Sequence, residues 1–164
     1  MQEQLMNDLR RSFDGDAWHG PALRDVLDGV TATEAASRPI ADAHSVWELV
    51  LHLASWAFET ARRLDGAAPA EPVEGDWPVA GRFDGEQAWA AAKDRLLVSS
   101  RDAVLEALSR LPPGRLADRV GEARNDALGT GVTMAGLAAG LAQHNAYHGG
   151  QILLLVRAVR RGAR

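Results

Sequence analysis

Histidines are the residues of this 164-residue chain best suited to chemistry, because the sequence has five of them and no cysteine. Without a thiol, the chain cannot form a disulfide, a thiolate-ligated zinc or iron–sulfur site, or a cysteine nucleophile. His144 and His148 are four residues apart, so on a helix their rings lie on one face about one turn apart. Two imidazoles placed in this way can share one metal ion.

His52 could provide a third imidazole, since it lies on another predicted helix along the apolar stripe of Leu49 and Leu53. In a helical bundle, two facing helices can bring His52 opposite the His144 and His148 pair. Three neutral nitrogens leave coordination positions open for water or substrate, as in a catalytic site. Such a metal can lower the pKa of bound water to about 7. The alternative is that the histidines are buried in the core, paired with polar partners, and bind no metal.

Three segments of the sequence carry a resemblance to a known family. They read WHGPAL at residues 18–23, HSVWELVLHLASW at residues 44–56 and QHNAYHGGQI at residues 143–152. In their order and spacing they resemble the DinB-like (YfiT-like) superfamily of metal-dependent enzymes. The most specific part is the closing His-x-x-x-His-x-Gly-Gln-Ile, which is present at residues 144–152.

The resemblance implies a four-helix bundle that holds one divalent metal, zinc or nickel among others. Carried over to this sequence, the implied ligands are His52 on the second long helix and His144 and His148 on the last. Some members of the family act on adducts of small bacterial thiols, either transferring the thiol or isomerising the adduct. Others have no known activity.

Three further residues are candidates for the site. His19 could approach the open metal positions as a proton donor or acceptor, or it could serve in loop packing. Glu48 lies one turn from His52 and could orient that imidazole or act as a base, although its place in a capping box with Ser45 explains it without chemistry. Gln151 either hydrogen-bonds a histidine of the site or pairs with backbone.

Helical periodicity runs along most of the chain and no convincing strand is found. The first part predicts a helix over residues 2–13, a second over residues 18–29, and a short helix that begins with a capping box at Thr31 and Glu34. Tryptophans 18, 47, 56 and 89 are expected in the core or in an interface.

The second part of the chain predicts the longer helices. One begins at the Ser45 capping box and reaches about Leu64, and a proline- and glycine-rich loop follows over residues 65–83, with Trp77 pinning it to the core. A third helix, capped by Asp84, ends before residues 112–113, and the last begins near Thr133. The predicted fold is all-α, a single four-helix bundle domain over residues 1–164, with a short extra helix and a long loop between helices 2 and 3.

Charge and hydropathy exclude several classes of partner. The chain carries 18 basic and 22 acidic residues, a net charge of −4, which opposes binding to nucleic acid. Residues 127–156 contain no Asp, Glu, Lys or Arg, but the polar side chains at residues 143–151 argue against a membrane span. The first eleven residues lack the apolar core of a signal peptide, so we expect a cytoplasmic protein.

These observations favour a metalloenzyme that uses a three-histidine site for thiol transfer or hydrolysis. Its substrate would be a small molecule, and a low-molecular-weight thiol would have to supply any nucleophilic sulfur, because the chain has no cysteine. The alternatives are a non-catalytic metal-binding module, with a role in stress response or interaction, and a plain helical bundle without metal. Homodimerisation is compatible with the tryptophan content, and the sequence does not decide it.

Overall fold

A computed structural model describes residues 1–78 and 85–162 of the chain. Asp84, the predicted cap of the third helix, lies outside these residues, as do residues 79–83 of the predicted loop. The α-helices, numbered along the chain, are α1 (Gln2–Phe13), α2 (Leu23–Leu27), α3 (Ala32–Ala36), α4 (Val46–Leu64), α5 (Gly85–Asp94), α6 (Arg101–Arg110) and α7 (Met134–Gly162). A π-helical segment, Arg95–Ser100, joins α5 to α6, and a 3₁₀ turn, Pro113–Ala117, follows α6.

The fold is all-α, as predicted, and no strand is found in the described part of the chain. An isolated bridge between Arg119 and Thr133 is the only pairing of the β type there. α1 packs against α6 and α7, and α4 packs against the same two helices, so the longest helical segments enclose a common core. Leu9, Leu53 and Ile152 are fully buried in this core.

Both predicted capping boxes are confirmed. At the start of α4, the Ser45 hydroxyl accepts from the Glu48 backbone N–H at 3.2 Å, and the Glu48 carboxylate accepts from the Ser45 backbone N–H at 2.7 Å. Thr31 and Glu34 make the same exchange at the start of α3. Each box satisfies backbone N–H groups that have no partner within the helix, so each fixes where its helix begins.

The second predicted helix is shorter than expected. It begins at Leu23 rather than at residue 18, because Gly20 adopts a φ of +128°, which an α-helix cannot accommodate, and Pro21 follows it. Trp18 therefore lies on a turn, where it is fully exposed and not in the core. Two of the other tryptophans expected in the core, Trp47 and Trp89, are buried.

The third helical run ends at Arg110, just before residues 112–113, as predicted. It also includes the π-helical segment, which the apolar periodicity did not predict. The last helix begins at Met134, one residue after the predicted start, and continues for 29 residues. Despite this length, none of the described helices is apolar enough over a sufficient stretch to cross a bilayer.

Candidate metal centre

Helices α4 and α7 bring the three predicted ligands together. His52 lies near the middle of α4, and His144 and His148 lie on successive turns of the same face of α7, which packs against α4. One ring nitrogen from each histidine can be chosen such that all three lie within 4.8 Å of one another. The three histidines therefore form a cluster that can hold a metal ion.

Hydrogen bonds fix the orientation of two of the rings. The Nδ1–H of His52 donates to the Asp76 carbonyl at 2.6 Å, and the Nδ1–H of His148 donates to the Gln151 side-chain carbonyl at 2.7 Å. The Nε2 of each of these rings is then unprotonated and can serve as a metal ligand. Histidines that bind metals in proteins are usually held in this way, with the second ring nitrogen donating to an oxygen.

The third ring already contacts the first. The Nε2 of His144 lies 3.0 Å from the Nε2 of His52, which is hydrogen-bonding distance. Two imidazole nitrogens this close together could bind the same metal ion. The donor set, three imidazoles without thiolate or carboxylate, is one that zinc, nickel, copper and iron all accept.

Burial keeps these imidazoles neutral. Loss of solvation lowers the pKa of His52 and of His148, and it lowers the pKa of His144 to about 3, where repulsion from the other two rings adds to the effect. At pH 7 all three rings are therefore neutral, each with one protonated nitrogen. A metal ion would not have to compete with the imidazolium form in order to bind.

The loop after α4 folds back onto the cluster. Trp77 stacks on His52, with ring centroids 4.0 Å apart, and its indole also stacks on His44 at 3.5 Å. The Asp76 carboxylate accepts from the Trp56 indole N–H at 2.7 Å, which ties the loop to α4. The loop thus covers His52 and supplies the carbonyl that orients it.

A cavity of about 380 Å³ opens beside the cluster, between α4, α7 and the two loops that follow α4 and precede α7. His52 and His144 line one end of it, together with Asp76. A small molecule in this cavity would therefore lie next to the nitrogen atoms that can hold the metal.

His19 and Glu48 lie away from this cavity. His19 is exposed and lines a separate depression between α1 and α7, beside Trp18 and Gln143. The Glu48 carboxylate accepts from the backbone of Ser45 and from the Arg38 guanidinium. The structure thus brings together the three histidines and Gln151, and it does not bring His19 or Glu48 to them.

Asp76 is the site residue that the sequence reasoning missed. Its backbone carbonyl and its carboxylate both approach the Nδ1 of His52, the latter at 3.3 Å. The neighbouring Trp77 gave a partial indication of this role, because a tryptophan in a proline- and glycine-rich loop predicts that the loop packs against the core. The sequence did not indicate that it returns to His52.

Comparison with known proteins agrees with the geometry of the site. Residues 17–152 match the family model described as the DinB superfamily, and this range contains all three histidines. Among curated proteins and among solved structures, no significant match is found. Because the family model covers most of the sequence, the chain belongs to the DinB superfamily.

Proposed function

We propose that the protein is a metal-dependent enzyme in which His52, His144 and His148 hold one divalent ion, zinc or nickel, and which transfers a small thiol to an electrophilic substrate. The observation that carries the proposal is the convergence of three neutral imidazoles, two of which line a cavity large enough for a small molecule. A divalent metal bound there would lower the pKa of a coordinated thiol or water, so that the thiolate or hydroxide would be available at neutral pH.

Transfer is favoured over hydrolysis by the environment of the site. The surface of the cavity is mainly apolar, so an apolar electrophile bound there would displace water from the histidine end. In the proposed transfer, the sulfur of the thiol forms a bond to the electrophilic carbon, the leaving group departs with the bonding electrons, and the thiol proton passes to the leaving group or to solvent. The chain has no cysteine, so this sulfur belongs to a cosubstrate.

The chain's own residues orient the site. Asp76 fixes the ring of His52 and Gln151 fixes the ring of His148, which leaves the Nε2 atom of each ring unprotonated. Loss of such an orienting hydrogen bond typically weakens metal binding by about 10- to 100-fold. We therefore expect Gln151→Ala to bind zinc about 10-fold more weakly and to retain the fold.

The first test is metal content by elemental analysis of untagged protein purified without chelator. We expect about one zinc or nickel per chain, lost in His148→Ala and retained in His19→Ala, which changes a histidine outside the cluster. Absence of metal from the wild type, even after dialysis against zinc and nickel, would refute the proposal.

The second test is turnover by the metal-loaded protein. Consumption of chlorodinitrobenzene that requires added cysteine or glutathione, and that stops on chelation, would support thiol transfer. Cleavage of a nitrophenyl ester without a thiol would indicate hydrolysis instead. Stoichiometric metal with neither activity would favour a non-catalytic metal-binding module.

A further inference from the structure

The cavity runs along matching stripes of two antiparallel helices. On α4 it is lined by His52, Trp56 and Thr60, which are spaced one turn apart, and on α7 by His144, Gly140 and Gly136, which have the same spacing. Both histidines lie at one end. The other end lies at Arg63, eleven residues beyond His52 on α4, or about 16 Å at the helical rise.

Glycine makes room for this cavity on the α7 side. A Cβ atom placed on Gly140 would meet no atom within 4 Å, because it would enter the open space. The remaining lining is largely apolar, and its larger members are Trp56, Leu128, Val132, Leu137 and Leu141. The cavity therefore suits an extended apolar group.

Charge in the cavity disfavours anions away from the histidine end. Arg63 is the sole lysine or arginine among the described lining residues, and its N–H groups are already engaged by the Glu59 carboxylate and by the carbonyls of Ala70 and Leu128. Asp126 also lines the cavity, and its carboxylate forms an exposed ion pair with Arg124, which is not a lining residue. An anionic ligand would find no available cation here.

One polar group in the wall has no partner. The Thr60 side chain is 4% exposed, yet its hydroxyl makes no hydrogen bond to any residue that the structure describes. Its oxygen is open to the cavity, since among the described residues only the Asn145 Oδ1 is a buried side-chain oxygen or nitrogen without a partner. The position of Thr60 in the cavity lining makes a bound ligand the natural partner.

From these features we infer that the cavity binds an uncharged, mainly apolar substrate that carries one hydrogen-bonding group, recognised by the Thr60 hydroxyl. The inference rests on the proposed function in one respect, namely that the reacting end of this substrate lies at His52 and His144. The cavity then holds the apolar electrophile, and the more polar thiol approaches from outside it.

A pair of fluorescent probes tests this inference. N-phenylnaphthylamine is neutral and has one N–H group, whereas anilinonaphthalene sulfonate has the same ring system with an added negative charge. Both are titrated against metal-free and zinc-loaded protein. We expect the neutral probe to bind at least 10-fold more tightly than the sulfonate to the metal-free protein. Equal affinities, or preference for the sulfonate, would overturn the inference.

Substitutions locate the bound probe. Gly140→Leu fills the cavity and is expected to weaken binding of the neutral probe by more than 10-fold, whereas Gly162→Leu, at the exposed end of the same helix, leaves it unchanged. Thr60→Val removes only the hydroxyl, and we expect about a 3-fold loss, with Thr33→Val on α3 as the matched control. Unchanged binding in Gly140→Leu would place the probe elsewhere and overturn the inference. Unchanged binding in Thr60→Val would overturn the inferred hydrogen bond between the Thr60 hydroxyl and the ligand.

Metal content, measured in the same samples, separates this inference from the proposed function. If the protein binds no metal but still prefers the neutral probe in the cavity, the proposed function fails and the substrate class stands. If it binds metal and lacks this preference, the substrate class fails and the metal centre stands. Circular dichroism of each variant establishes that the helices are retained.

Discussion

Replacing Arg63 with methionine would remove one half of an ion pair that is buried beside the cavity. The side chains of Arg63 and Glu59 are each 1% exposed, and the Nε of the arginine lies 2.7 Å from a carboxylate oxygen of the glutamate. Two other N–H groups of Arg63 donate to the carbonyls of Ala70 and Leu128. One arginine thus ties α4 to both loops that border the cavity.

The expected cost follows from what remains after the substitution. Removing one partner of a buried ion pair costs about 3–5 kcal/mol, because the other charge stays buried. Arg62 and the Ala70 backbone N–H would still contact Glu59, at 2.9 and 3.3 Å, which reduces this cost, while the two abandoned carbonyls increase it. We expect the free energy of unfolding to fall by about 4 kcal/mol at pH 7.

Urea denaturation measures this change. With a slope of about 2 kcal/mol per molar urea, the midpoint should fall by about 2 M in Arg63→Met. Arg110→Met is the control, because Arg110 is 52% exposed in its ion pair with Asp65 and should contribute far less to stability than the buried pair. Combining Arg63→Met with Glu59→Met should recover much of the loss, since no buried charge is left. If Arg63→Met were no more destabilising than Arg110→Met, the reasoning would be wrong.

Two other predictions concern the ion pair of Glu34 with Arg160 and the left-handed backbone conformation of Gly131. Hydrogen bonding to Arg160 lowers the pKa of Glu34 to about 2 from 4.5, so its contribution is complete above pH 4.5 and is lost as the pH falls through 2. After allowance for solvent screening, Glu34→Gln should cost about 1 kcal/mol at pH 7 and progressively less as the pH falls through 2 in thermal unfolding, and a pH-independent cost would contradict this. Gly131 has a φ of +77°, and a Cβ there would lie 2.8 Å from the Arg124 Cα, so Gly131→Ala should cost about 3 kcal/mol. Gly129→Ala, at a φ of +61° without such a clash, should cost about 1 kcal/mol, and equal costs would exclude the clash as the cause.

Local signals in the sequence predicted most of the helical architecture. The capping box of Ser45 and Glu48 fixed the start of α4, because both of its hydrogen bonds lie within four residues. The start of α2 was predicted wrongly, since the apolar periodicity continued through Gly20, whose backbone cannot be helical at a φ of +128°. The single-domain prediction and the prediction of homodimerisation remain predictions.

The cluster of three histidines was predictable only in part. The i, i+4 spacing of His144 and His148 follows from the helix, but no local rule places His52 against them, and the family resemblance supplied that step. The role of Asp76 could not be read from the sequence, because it depends on a backbone carbonyl in a loop of irregular conformation. Every residue has a backbone carbonyl, so the residue type at position 76 does not reveal that its carbonyl binds His52.

The position of the cavity follows from the same packing that forms the cluster. Because His52 and Thr60 lie on one face of α4, and His144 and Gly140 lie on the facing stripe of α7, any rotation of either helix that separated the histidines would also displace the cavity. The positions of the histidine cluster and of the cavity are therefore both set by the contact between α4 and α7. Within this frame, Gly140 leaves the cavity open on the α7 side, and Thr60 places a hydroxyl in its wall on the α4 side. If the inferred substrate class is correct, substitutions at these two positions should change which ligand binds without separating the three histidines.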